Sequence, residues 1–252
     1  MSNDSTLIIL EDKSTWPQEV MDFVAPDMAR ISQERELELA KNLEGKSWLS
    51  TIPDSIYVQT QQHLATILRR YSIKAYHATK LPMPEIVLRT GLLPLSDQTL
   101  ATALSEVVAA LPSSDSGKEA QKELNQFVRS EAFENQRGLV WVYLTELQTQ
   151  QYDSQDLLEF YGGRALRAAL ANKRYKYFPL LKRLGVPVLI TCSVRIADAA
   201  EAQVYDLAKL MLDNLLDAAN GLAPRSIAAE LAISAPVPAT AVFEVNELLQ
   251  YA

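Results

Sequence analysis

One cysteine and two histidines are all the thiol and imidazole that the 252 residues contain. Cys192 therefore has no partner within the chain for a disulfide, and a zinc site built from several cysteines is excluded. It lies in the apolar run 186–194, where a thiol reads as buried and inert rather than nucleophilic. No apolar stretch approaches the roughly 20 residues that cross a bilayer, and residues 1–6 lack the basic flank of a secretory signal, so the expected location is the cytoplasm with no membrane contact. A Walker phosphate loop, the glycine fingerprint of a dinucleotide fold and a nucleophile elbow are all missing. Acidic residues outnumber basic ones 31 to 24, for a formal net charge of −7. That balance argues against broad, charge-driven binding of nucleic acid and leaves room for a local basic surface only.

The composition is that of an ordinary folded protein, 48% hydrophobic and 22% charged, in a length that supports a sizeable core. Residues 6–10 suit a short strand. Residues 17–45 read as helical, because Leu37, Ala40 and Leu43 recur at helical spacing and Gly45 suits the position past a helix end. A second helix is expected over 53–71, with Ile56, Leu64, Ile67, Leu68 and Tyr71 on one side; His63, beside that stripe, reads as a structural or surface histidine.

At 72–79 the pattern switches to alternation, which puts Ile73, Ala75, His77 and Thr79 on one face of a strand and Lys74, Tyr76 and Ala78 on the other. Pro82 and Pro84 break it, Pro84 suits the first turn of a short helix, and Gly91 closes that helix in a left-handed conformation. Ser96 or Asp97 caps a helix carrying Leu100, Leu104, Val107, Val108 and Leu111, and residues 112–117 read as a surface loop. Another helix is expected over 118–131, with Leu124, Phe127 and Val128 inward. The β-branched and aromatic runs 139–144 and 186–194 read as strands. Between them, the glycine pair Gly162-Gly163 permits a close backbone approach and 164–170 is helical. A long amphipathic helix is expected over 199–220, with Val204, Leu207, Met211 and Leu215 inward. An irregular edge and a final strand over 240–245 follow it.

The stretch Tyr76-His77-Ala78-Thr79, with Ile86 or Val87 leading to Gly91-Leu92, resembles the first motif of the ADP-ribosyltransferase superfamily, which includes the poly(ADP-ribose) polymerases and the tRNA 2′-phosphotransferases. There a strand ending in His-Gly-Thr precedes a helix of the form I-x-x-x-G-[LI]. The likeness covers about 20 residues directly and extends loosely, by strand order, over 72–247. It implies an α+β fold with an ADP-ribosyltransferase-like split β-sheet core over 72–252 and a helical N-terminal extension over 1–71. It also implies NAD as the ligand, bound as a substrate. His77 would then read a ribose hydroxyl and the Ala78 backbone would meet the nicotinamide amide, with alanine standing where the family has glycine. A neutral imidazole suits the task, since it donates from one nitrogen and accepts at the other, and Thr79 on the same face is the expected orienting partner.

The family's second position is an aromatic residue stacked on nicotinamide. Tyr143 and Tyr161 are available, and Tyr161, before Gly162 and Gly163, is preferred because bare backbone can then flank a flat ligand. The third is a carboxylate that stabilises the developing oxocarbenium, a contribution of order a hundred- to a thousandfold in rate. Glu244 on the last strand is the first choice and Glu146 the second. Residues 160–166 also resemble a Trp-Gly-Gly-Glu-Ala-Leu segment of uncharacterised bacterial proteins, with Arg164 in place of the glutamate. That replacement implies either lost catalysis or a different ligand, such as phosphate held by an arginine fork.

A basic and aromatic cluster follows, containing Arg167, Lys173, Arg174, Tyr175, Lys176, Tyr177, Phe178, Lys182 and Arg183, and its Lys173, Arg174 and Lys176 are candidates for a local nucleic-acid contact. The leading expectation is a bacterial, NAD-binding ADP-ribosyltransferase-like protein that transfers ADP-ribose to a macromolecule or hydrolyses NAD, with His77, Tyr161 and Glu244 as its site. Two alternatives stand beside it: an inactive binding or assembly protein on the same fold, and an RNA 2′-phosphotransferase-like enzyme.

Overall fold

The computed structural model describes residues 7–43, 55–111, 113–150, 152–223 and 229–248. In chain order the elements begin with β1 (Leu7–Ile8), α1 (Gln18–Val24), α2 (Met28–Leu43), α3 (Ile56–Leu68) and β2 (Ser72–Leu81). Next come α4 (Val87–Thr90), α5 (Asp97–Ala109), α6 (Ser114–Phe127), α7 (Glu131–Glu134), β3 (Val140–Tyr143), α8 (Tyr152–Glu159), α9 (Gly163–Ala169) and α10 (Arg174–Arg183). The chain then runs through β4 (Val186–Arg195), α11 (Glu201–Ala219), β5 (Glu230–Ile233) and β6 (Val242–Glu247). Helices and a mixed sheet in one chain make the fold class α+β, as the sequence indicates. Among the described residues no helix is long and apolar enough to cross a membrane.

The elements form two compact units. The first joins Met1–Lys74 to Arg195–Leu231, so the N-terminal helices are not an extension standing by themselves; the long helix α11 belongs with them. The physical reason is the apolar side of α11. Val204, Leu207, Met211 and Leu215 are all buried as the spacing predicts, and that stripe packs on α3, whose Leu64, Ile67 and Leu68 are buried in turn. β1 runs parallel to the first residues of β2, Leu7 opposite Ser72 and Ile8 opposite Ile73.

α2 departs from its expected stripe: Leu37 is 55% exposed and the inward positions are Ile31 and Arg35. The fully buried guanidinium of Arg35 places Nη1 2.7 Å from Asp217 Oδ1 and 3.7 Å from Asp213 Oδ1, while Tyr57 donates its hydroxyl to Asp213 at 2.8 Å. Burial works against the arginine's charge, but Asp217 and Asp213 overcome it and hold the pKa above its ordinary value. Apolar periodicity alone does not reveal a helix whose inward face carries an ion pair.

The second unit is Ala75–Val194 with Ala232–Ala252. Its sheet runs β5-β3-β2-β4-β6, which leaves β2 central and β6 at one edge. β3 lies antiparallel to β2 with Tyr143 opposite Tyr76, and β6 lies antiparallel to β4. α5, α6, α9 and α10 enclose a separate apolar core around Leu104, Leu124, Phe127, Leu166, Leu170 and Tyr177. α5 begins with a capping box, Ser96 and Thr99 each bonding the other's backbone N–H.

The stretch 112–117 is not the loop its composition suggests. Ser113 caps α6 by accepting from Ser116 N–H, so Ser114 onward is already helical; Pro112 lies outside the described residues. Serine and aspartate serve a helix start as well as a turn, and composition does not separate the two.

Candidate functional site

The strand carrying the candidate histidine is the central one, and its pleat decides what reaches which face. Tyr76 and Ala78 are buried in one cluster with Leu158 of α8 and Leu189 of β4, and Tyr143, Leu157 and Leu248 pack against it. By alternation His77 and Thr79 lie on the opposite face. His77 is half-buried, and its Nδ1 stands 2.8 Å from the carbonyl oxygen of Trp141. A carbonyl only accepts, so Nδ1 carries the proton and Nε2 of the neutral ring carries a lone pair. Desolvation pulls the His77 pKa below 6.5, against a smaller opposing pull from the Trp141 carbonyl, so the ring is neutral at physiological pH. Nε2 makes no hydrogen bond among the described residues and is left as an acceptor. The partner that fixes the tautomer is therefore the backbone of β3. Thr79, the side chain expected to do so, shares the face but not the bond.

The methyl of Ala78 points away from His77 into the buried cluster, where it is 2% exposed. Alanine in place of glycine thus fills core space and adds no bulk on the histidine's face. The segment after β2 follows the expected plan, a break, a turn of 3-10 helix at Pro84–Ile86, then α4. The one departure is the conformation of Gly91. Its φ of 72° and ψ of −162° lie in the extended positive-φ region open to glycine rather than in the left-handed helical one. Leu92 N–H donates to the Val237 carbonyl at 2.9 Å and Val237 N–H returns the bond at 3.0 Å. A Cβ on Gly91 would stand 2.0 Å from the Val237 oxygen. The Gly-Leu pair of the motif thus serves a close backbone approach.

The other candidates do not gather around His77. Tyr161 is 5% exposed within the core of α5, α6, α9 and α10, its N–H donates to the Leu181 carbonyl at 3.0 Å, and burial, reinforced by the charge of Glu106, pushes its hydroxyl up to about 12. Gly162 opens α9 with φ 75°, and a Cβ there would stand 2.6 Å from Leu166 Cδ2, so the first of the two glycines answers to packing. Gly163 follows at φ 60° in the same turn, with Arg164 exposed on α9. Glu244 is exposed on the edge strand opposite Thr191, in a register that also sets Asn246 opposite Leu189. Paired residues share a face, so Glu244 lies on the face of Leu189, Tyr76 and Ala78, the one His77 does not occupy. Tyr143 is half-buried on that face too, and Glu146 is exposed beyond β3.

Cys192 is fully buried and its thiol is pushed up to about 12 by burial, which makes it inert, as its apolar run indicates. His63 is exposed and stacks on Phe23, ring centroids 4.1 Å apart. Lys173, Arg174 and Lys176 are exposed at the start of α10. The group beside His77 that sequence reasoning missed is the Trp141 carbonyl, since a backbone acceptor leaves no mark on residue type.

Comparison with protein-family models, with curated proteins and with solved structures finds no match to this chain.

Proposed function

We propose that the protein binds NAD, or a nucleotide that presents the same ribose hydroxyls, through His77 on a core of the ADP-ribosyltransferase type. One observation carries the reading. His77 sits half-buried at mid-strand, its tautomer fixed by the Trp141 carbonyl, and turns a neutral Nε2 acceptor to whatever lies on its face. A ribose hydroxyl is a donor of the right kind for that atom. The Gly91-terminated helix after the strand supports the same reading, since it has the order and spacing of the superfamily motif.

Within this proposal the protein acts by binding, and the transfer or hydrolysis of the wider superfamily is not built on Tyr161 and Glu244. Tyr161 has no open ring face to offer a nicotinamide, and Glu244 lies across the sheet from His77. Calorimetric titration with NAD at neutral pH, run alongside an assay for released nicotinamide, tests both halves. The parent binds, His77→Ala weakens binding about five- to tenfold for one lost neutral hydrogen bond, and Tyr161→Phe and Glu244→Gln leave it within about twofold. Absence of binding by the parent, or binding indifferent to His77→Ala, overturns the reading. Nicotinamide release that disappears in Glu244→Gln overturns its non-catalytic half.

A further inference from the structure

We propose that the surface formed by α6 and the start of α10 binds single-stranded nucleic acid, independently of His77. The outward side of α6 carries a shallow groove of about 500 Å³ lined by Lys118, Gln121, Lys122, Asn125, Gln126 and Arg129, three cations and three amides with no carboxylate among them. Lys118 is 3.4 Å from Asp115, whereas Lys122 and Arg129 meet no carboxylate among the described residues.

Four contacts join α6 to the neighbouring basic turn. Glu119 holds Lys176 at 2.5 Å and Lys173 at 3.5 Å, Asn172 donates to Glu123 at 2.9 Å, and the Tyr177 hydroxyl donates to the Ser116 carbonyl at 3.1 Å. The two helices therefore present one surface, on which Lys118, Lys122, Arg129, Lys173, Arg174 and Lys176 face Asp115, Glu119 and the buried Glu123. That is six basic groups against three acidic ones on a chain whose net charge is −7.

At its end stands Tyr175, 86% exposed, with the Arg174 guanidinium carbon 5.1 Å from its ring centroid and Nη2 3.1 Å from its hydroxyl. A ring so exposed contributes nothing to the core, and one steadied by an arginine offers a flat platform on which a base can stack. Cations supply the phosphate contacts, amides the polar contacts to base edges and the tyrosine the stacking; unpaired bases accept all three. A membrane surface fits less well, because each side chain that lines the groove ends in a charge or an amide and the apolar residues of α6, Ala120, Leu124 and Phe127, are already buried. A phosphopeptide calls for cations converging on one point, whereas these are spread along two helices.

The test is fluorescence anisotropy of a labelled single-stranded pyrimidine oligonucleotide of about 12 nucleotides with the full chain and no NAD, at about 50 to 200 mM salt. The excess of three basic groups predicts that log K falls against log salt with a slope of about −2. Lys122→Glu with Arg174→Glu weakens binding at least about tenfold, and Tyr175→Ala weakens it about fivefold or more with the salt slope unchanged. Lys209→Glu, an exposed charge reversal on α11, and His77→Ala both leave it within about twofold. All these side chains but His77 are exposed, so circular dichroism is expected to show the folded parent spectrum for the surface variants. No binding at the lowest salt overturns the proposal. So does equal loss in Lys209→Glu, insensitivity to the double reversal, or capture by anionic phospholipid vesicles without capture of the oligonucleotide. Since NAD is absent and His77→Ala is expected to be silent, failure here is distinguishable from failure of the NAD reading.

Discussion

Replacing Gly91 with alanine tests the argument that this glycine answers to backbone approach. Two costs combine. At φ 72° and ψ −162° any side chain is strained, at about 1–3 kcal/mol. The new Cβ would also lie 2.0 Å from the Val237 oxygen and 2.9 Å from Ala239 N, both backbone atoms that cannot rotate aside. Relieving that overlap separates Leu92 from Val237 and gives up both of their backbone hydrogen bonds, each with a net value of about 1 kcal/mol. The expected loss is about 3–5 kcal/mol. Gly138→Ala is the control, since its φ of 76° is similar but no atom lies within 4 Å of its Cβ position, which leaves the dihedral cost of about 1–2 kcal/mol. Urea denaturation of the parent and both variants gives the two losses. Native-state hydrogen exchange at the Leu92 and Val237 amides adds a local readout, with protection falling in Gly91→Ala and unchanged in Gly138→Ala. Equal losses in the two variants, to within about 0.5 kcal/mol, would refute the reasoning, because the overlap with Val237 would then cost nothing.

Other consequences follow from burial and charge. Asp217→Asn leaves the buried Arg35 with the exposed Glu36 at 3.2 Å and Asp213 at 3.7 Å and is expected to cost about 3 kcal/mol, while Arg35→Met combined with Asp217→Leu recovers most of that loss. A double variant no more stable than Asp217→Asn in urea contradicts this account. The pKa of His77 is depressed in the fold, so between its folded value and 6.5 the unfolded chain binds more protons than the folded one. Stability from this group is complete above about 6.5 and drains away as the pH falls through the window, by no more than about 1.4 kcal/mol per pH unit. His77→Asn removes that component, so the gap between parent and variant narrows in acid; urea midpoints that run parallel from pH 7.5 to 5 speak against it. NAD binding through the neutral ring follows the folded pKa alone, so it holds through most of this window and weakens at its acid end, which titrations at several pH values measure.

Much of the local structure was legible because it repeats. Val204, Leu207, Met211 and Leu215 recur at helical spacing and are buried at it, and the β-branched run 139–144 contains a strand, Val140–Tyr143. Alternation also set His77 on one face of β2 and Ala78 on the other, and apolar surroundings marked Cys192 as inert. Periodicity failed where polar groups took over the packing, as on α2, where Arg35 points inward and Leu37 outward. It failed again at residues 113–117, where a capping serine and a loop serine have the same composition.

What the sequence settled by itself is therefore the class of the fold, the position of the strand that carries His77 and the chemical identity of the imidazole on it, since period and residue type are local properties; that this strand rather than 139–144 is central was decided by pairing. What only the tertiary structure decided is company. Pairing of β4 with β6 put Glu244 across the sheet from His77, helix packing took Tyr161 into a core, and a backbone carbonyl rather than Thr79 fixed the histidine's tautomer. Glu119 joined α6 to α10 and so made one surface of basic residues more than forty positions apart. Each outcome depends on strand register or helix docking, which long-range burial fixes and local sequence does not encode.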